Sequence, residues 1–287
     1  MANYNDPMPP GRGDTRLPLG STDRALDHLQ RRQNRYLARH GDAWTFPSAA
    51  LRDLMIERAA LDRHRCFVIP HLVPARPATP RPVPGDPPRL LYAGTLYRWV
   101  FEGPLAQVLQ EWSDAGRLRL VVAAARADER DVRALRALVP GVEVHRDLDP
   151  GELDALVDEV DAVLVVDNRP PLLPTKVVDG VCRLRPLLAV ARPGSTTTEV
   201  IRRAGGITAD RGDEEAIEAA LRALDALLAD PVATAERRRL QGLAAERFSP
   251  ARVLADVDLV LDFAARHFAA SATGRAAPAP PRLAAGP

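Results

Sequence analysis

Residues 162–190 read AVLVVDNRPPLLPTKVVDGVCRLRPLLAV, and the organisation of the chain can be worked out from them. The segment opens on an apolar run, AVLVV, and closes on another, PLLAV. Strands of a parallel sheet look like this when helices cover both of its faces. Between the two runs, Pro174 and Thr175 read as a helix start, because proline fits a first turn and threonine can cap it. Strand, helix and strand make one β-α-β crossover, the connection that parallel neighbours require.

The same rhythm extends in both directions. Strands are expected at 89–93, 118–123, 142–145, 162–166, 186–190 and 206–208. Helical spacing shows in Val132/Leu135/Leu138/Val139 and in Ile217/Leu221/Leu224/Leu228, with a further helix at 232–247. The expectation is an α/β fold, a doubly wound Rossmann-like parallel sheet over 89–248. Ahead of it, 71–88 (HLVPARPATPRPVPGDPP) reads as a Pro-rich linker. Residues 1–70 are expected to hold irregular chain to residue 20, a helix at 22–39, and a β-α-β unit with nothing before it to complete a sheet. That unit is a strand at 43–46, a helix at 48–60 and a strand at 66–70. Behind the sheet, 249–268 carries the stripe Val253/Val257/Val260/Leu261/Ala264 and is expected to cross back onto that unit. Residues 269–287 are Ala/Pro-rich and expected to be a disordered tail.

Composition removes several classes of function. With 46% apolar and 27% charged residues in 287, a sizeable core is available. Basic and acidic residues nearly cancel, 39 against 38, which disfavours a nucleic-acid surface. No apolar run approaches the ~20 residues of a membrane span. Cys66 and Cys182 are too few and too far apart for a disulfide framework or a zinc site, and the six histidines show no ligand spacing with Asp or Glu. No metal and no bound cofactor are expected. A cytoplasmic location follows, with a peripheral place at the inner membrane face as its variant.

Of the 39 basic residues, 38 are Arg and one is Lys, at position 176. Where composition drifts so far to Arg, a retained Lys marks a place for a compact, flexible point charge, unless it survives by chance. Lys176 sits at the start of the helix that leaves the 162–166 strand, where free amides and the helix dipole favour an anion. Asp179 follows one turn on, able to accept from a vicinal diol such as a ribose. An ordinary i,i+3 surface ion pair would use the same two residues. Ligands of open parallel sheets bind outside the strands' carboxyl ends. The loop after 89–93 therefore adds Gly94, Thr95 and Arg98, which also fit a plain βα turn. It lacks GxGxxG spacing, so a dehydrogenase fingerprint is not supported.

The run PTKVVDGVCRLRPLLAVARPGSTTTEVIRRAGG (174–206) resembles the donor-binding core of GT-B glycosyltransferases of the family-4 type. Those commonly read Pro-Ser-Lys-x-x-Glu-Tyr, a small-residue turn, then Lys-Pro-Val-Leu-Ala. LLYAGTLYR (90–98) is similar to the strand and loop that open that domain, and ADRGDEEAIEAALRAL (209–224) to its closing helix. TFPSAALRDLM (45–55), VIPH (68–71) and YNDP (4–7) resemble the end of the N-terminal domain and the crossover.

The resemblance implies transfer of a sugar from a nucleotide-diphosphate-sugar donor, with retention and without metal, to an acceptor glycan, lipid or small molecule. It implies catalytic roles for Lys176 and Arg98 at the departing diphosphate. Gly94, Thr95, Thr175, Lys176 and Asp179 would bind the donor. It also marks departures. Only a remnant of the N-terminal domain is expected within 1–70, so a separate chain could supply that half. Pro171 stands eight residues before Asp179, where the family's Glu-x7-Glu pattern has its first carboxylate. Of the family's Arg/Lys pair after the first loop, Arg98 is the evident candidate. His71 falls at the crossover, where a structural role outweighs a ligand contact. The alternative function is a non-catalytic nucleotide-sugar binding or assembly module that needs a partner chain.

Overall fold

The structure, a computed structural model, describes residues 2–3, 32, 36, 38–74, 76–77, 79, 84–97, 99–125, 127–167 and 169–283. Arg98, the YNDP element and most of the helix expected at 22–39 lie outside these residues. In chain order come β1 (Ala2–Asn3), β2 (Trp44–Phe46), α1 (Ala49–Ala59), β3 (Cys66–Val68), β4 (Arg89–Thr95), α2 (Pro104–Asp114), β5 (Arg119–Ala125), α3 (Glu129–Leu138), β6 (Glu143–Arg146) and α4 (Pro150–Glu159). They continue as β7 (Ala162–Asp167), α5 (Thr175–Cys182), β8 (Leu187–Ala191), α6 (Thr196–Arg203), β9 (Ile207–Asp210), α7 (Glu214–Ala229), α8 (Pro231–Ala245) and α9 (Pro250–Thr273).

Two units divide the chain. The larger comprises Val73–Pro170 and Pro174–Phe248, the smaller Met1–Leu72, Pro171–Leu173 and Ser249–Pro287. The larger unit is built on a six-stranded parallel sheet in the order β6-β5-β4-β7-β8-β9. Alternation along the strands sends Leu90, Tyr92, Leu120, Val122, Leu164 and Val166 to one face. There they pack on Leu105, Leu109 and Trp112 of α2, Leu135 of α3 and Leu221 and Leu224 of α7. Leu91, Val121 and Ala123 point the other way, onto Leu156 and Val157 of α4. Each such leucine, fully buried, contributes about 1.5–3 kcal/mol.

Both faces are covered, which is why β7 and β8 are buried at every position. The strand order reverses between β4 and β7, and at that reversal the connections diverge and leave a crevice at the carboxyl edge.

Described residues of the Pro-rich segment 71–88 are anchored to α4 and the turn after it. Arg76 pairs with Asp154 of α4 at 2.9 Å, the Thr79 amide donates to Asp158 at 2.8 Å, and the Arg89 amide donates to Asp161 at 2.8 Å. Carboxylates on and just after α4 take up these donors, and from Val73 this connecting segment belongs with the larger unit.

In the smaller unit β1 pairs with β2 (Ala2↔Trp44) and β2 with β3, all parallel. A strand therefore does precede the β-α-β unit, contrary to the sequence expectation. Two residues carry too little periodicity to be read as a strand. Ser48 caps α1, accepting from the Leu51 amide at 3.1 Å, and its hydroxyl donates to the Pro171 carbonyl at 2.6 Å. Leu172 joins the cluster of Trp44, Phe46, Leu51 and Met55. Val260 and Phe263 of α9 pack on Ala43 and Phe67. The helix continues to Thr273 and ends on Gly274 at φ 66°, so the expected end at 268 falls short. Leu283 packs partly buried against the same cluster, so the described part of 269–287 is not all free tail.

Candidate functional site

β4 ends on Tyr92, Ala93, Gly94 and Thr95, and β7 on Val166 and Asp167. Gly94 and Thr95 are thus the last residues of a strand, one step earlier than the loop in which the sequence places them. Pairing with β5 continues to Thr95↔Ala125 and holds them there. Gly94 takes φ +150°, a backbone angle at which an L side chain is strained. The Tyr92 hydroxyl donates to the Thr95 carbonyl at 2.9 Å and fixes the turn.

Lys176 of α5 reaches this crevice. Its Nζ donates to the Val166 carbonyl at 2.6 Å and lies 5.2 Å from the centroid of the Tyr92 ring. Burial drives its pKa from 10.5 down to about 8. Asp167 opposes that shift, while Arg169 and Arg211 add to it. A charge so placed is costly to keep and gains strongly from an anion. Thr175, exposed, is the first residue of α5, and Pro174 occupies the cap position without a side-chain cap. Threonine therefore does not cap this helix, because its hydroxyl sits one position too late.

Asp179 does not pair with Lys176. Its Oδ2 accepts from Arg183 Nε at 2.8 Å, and Arg183 also reaches Asp154 at 2.6 Å. The i,i+4 partner wins because Lys176 is drawn to the Val166 carbonyl. Asp179 is still about one-third exposed, so one carboxylate oxygen keeps accepting capacity. His71 lies half-buried in the smaller unit.

Sequence reasoning missed three neighbours. Asp167, buried, accepts from the Thr197 hydroxyl at 2.6 Å and from the Arg169 amide at 3.1 Å. Arg211, directly after β9, places its guanidinium 4.9 Å from the centre of the Trp99 ring and donates to the Trp99 carbonyl. Trp99 in turn stacks on Tyr97 at 5.7 Å and 8°. A carboxylate at a strand's last position and an arginine just past another strand were the available signals. Among the described residues, no three His, Cys, Asp or Glu side chains converge as a metal site would require. No helix among them is long and apolar enough to cross a membrane.

A doubly wound parallel sheet with a crevice at its order reversal is shared by many nucleotide-binding folds, and comparison with solved structures narrows the fold. A glycosyltransferase from Rickettsia africae ESF-5 superposes with a TM-score of 0.66 at 14% identity, over 80% of this chain and 66% of that one. Anabaena Alr3699/HepE in complex with UDP and glucose gives 0.65 at 14% identity, over 83% and 68%. S. aureus TarM, a G117R mutant in complex with fondaparinux, α-GlcNAc-glycerol and UDP, gives 0.61 at 11% identity, over 83% and 47%. At such identities the likeness is one of fold, and the fold is that of GT-B glycosyltransferases. The chain spans about half to two-thirds of the length of these structures. No family model matches the sequence, and no curated protein does.

Proposed function

We propose that the larger unit binds a nucleotide-diphosphate sugar and serves glycosyl transfer from it to an acceptor glycan, lipid or small molecule. The observation that carries this reading is Lys176, the one lysine of the chain, held half-buried at the β4–β7 reversal with its ammonium on the Val166 carbonyl. HepE and TarM, each in complex with UDP, support the choice of nucleotide.

Lys176 and Arg98 would meet the charge that develops on the departing diphosphate, which is electrostatic stabilisation without a metal. Gly94 lets backbone approach the phosphates closely, and Thr95 and Thr175 offer hydroxyls. The free oxygen of Asp179 accepts from the ribose diol. In a retaining step the anomeric carbon–phosphate oxygen bond breaks while the acceptor oxygen bonds on the same face. The acceptor's proton passes to the leaving phosphate oxygen. A cytoplasmic place, or one at the inner membrane face, suits such a donor.

A second reading has its own observation. Residues 168–174 contain no carboxylate, and Pro171, at the expected position, is pinned through its carbonyl to Ser48. A module that binds the donor but depends on a partner chain for the acceptor would tolerate that. Titration calorimetry with UDP, GDP, ADP and dTDP tests the shared core of both readings. One of these should bind, and binding should weaken in Lys176→Ala. Sugar transfer by the chain alone would exclude the second reading, and no binding at all would end both.

A further inference from the structure

Arg211 leaves β9, while its partner Trp99 belongs to the loop after β4. In the sheet β7 and β8 lie between those two strands. With neighbouring strands about 4.8 Å apart, β4 and β9 are roughly 14 Å apart. The Arg211–Trp99 contact therefore closes across the carboxyl ends of β7 and β8, where Asp167 and the crevice lie. The Arg211 side chain is only 15% exposed, and Glu102 stands 3.9 Å from its Nη2. That nitrogen donates to the Trp99 carbonyl, but Nη1 is buried with no hydrogen-bond partner. Buried donors are almost always satisfied, and an orphan on a cation is the more costly kind.

The groups that bear on Arg211 are Glu102, Asp167, Arg192 and the Tyr92 hydroxyl, and those that bear on Lys176 are Asp167, Arg169 and Arg211 itself. The deep carboxylate common to both, Asp167, is already bonded to Thr197. The crevice thus holds more cation than anion, with one guanidinium nitrogen unspent.

We infer that Arg211 is a further cation of the diphosphate site, beside Lys176 and Arg98, brought to it from the far strand of the sheet, with Trp99 as the platform that holds it there. The inference rests on the nucleotide-diphosphate reading above. Lys176 and Arg211 together present two cations to two phosphates, so they favour a diphosphate over a monophosphate. Because the guanidinium lies over the Trp99 ring, occupation of the site changes the surroundings of that indole.

The test is titration of the full chain with UDP and UMP, followed by calorimetry and by tryptophan emission, with Trp99→Phe as the optical control. Wild type should prefer UDP to UMP, and UDP should shift an emission that Trp99→Phe lacks. Arg211→Gln should lose tenfold or more in UDP affinity, with the preference over UMP collapsing, and Arg211→Lys should lose less. If the Gln variant fails to fold, Arg211→Met decides, and wild-type UDP affinity in it overturns the inference. Lys176→Ala weakened while Arg211→Gln binds UDP as wild type overturns this inference alone. Failure of the wild type to bind any nucleoside diphosphate overturns it together with the functional reading beneath it.

Discussion

Lys176 Nζ stands 2.6 Å from the carbonyl oxygen of Val166, ten residues earlier on the neighbouring strand. One hydrogen bond thus ties the first turn of α5 to the end of β7 and parks a cation where the strand order of the sheet reverses. Most of the expected behaviour of this protein follows from that pairing.

Lys176→Ala should weaken nucleoside-diphosphate binding by about 1.5–3 kcal/mol, the size of a hydrogen bond to a charged group. Lys176→Arg should restore only part of it, since a planar fork does not fit a place shaped for a compact ammonium. Calorimetric titration of the three proteins measures both effects, and equal affinities would remove Lys176 from the site.

With its pKa near 8 against 10.5 in unfolded chain, Lys176 gives stability and binding opposite slopes with pH. Between those values the unfolded protein holds a proton that the folded one has released, so this residue's contribution to stability rises with pH. Binding needs the ammonium, so affinity for UDP should be full below pH 8 and fall above it. Lys176→Ala should flatten that fall. A parallel decline in the variant would assign it to another group.

Asp179→Asn should weaken UDP while leaving inorganic pyrophosphate unchanged, because the proposed partner of Asp179 is the ribose. Arg183 keeps Asp154 as a partner and Asp179 itself is about one-third exposed, so the loss of stability should stay at about 1 kcal/mol. Equal weakening of both ligands would contradict the ribose role.

Thr197→Val removes a 2.6 Å donor from the buried Asp167 carboxylate. An unmet buried acceptor should cost about 1–3 kcal/mol, read as a lower midpoint in urea. An unchanged midpoint would mean that water takes the hydroxyl's place.

Phe263→Ala, in the core that α9 shares with Ala43 and Phe67, should cost about 3–5 kcal/mol in the smaller unit. The check is proteolysis within residues 43–70, which should accelerate. Unaltered cleavage there would show that the strands stand without the helix.

Much of this architecture was legible in the chain. AVLVV and PLLAV announced strands buried on both faces, and β7 and β8 are buried throughout. Ser48 was readable as the start of a helix from its position ahead of AALRDLM, and it does cap α1. Lys176 could be singled out by its rarity alone. Local pattern carries this information because burial and capping act over a few neighbouring residues.

What the pattern could not carry was pairing at long range. Asp179 has Lys176 three residues before it and Arg183 four residues after it, and only the packed helix shows that Lys176 is drawn away to Val166. Arg211 and Trp99 are 112 positions apart. Their meeting depends on β9 lying two strands beyond β7, which no window of sequence expresses. The sequence by itself determined the strands of the larger sheet, the helices that carry clear periodicity and the residue types available for an anion. The tertiary structure decided which of them meet, because a sheet's strand order, and not chain distance, sets which loops share its carboxyl edge.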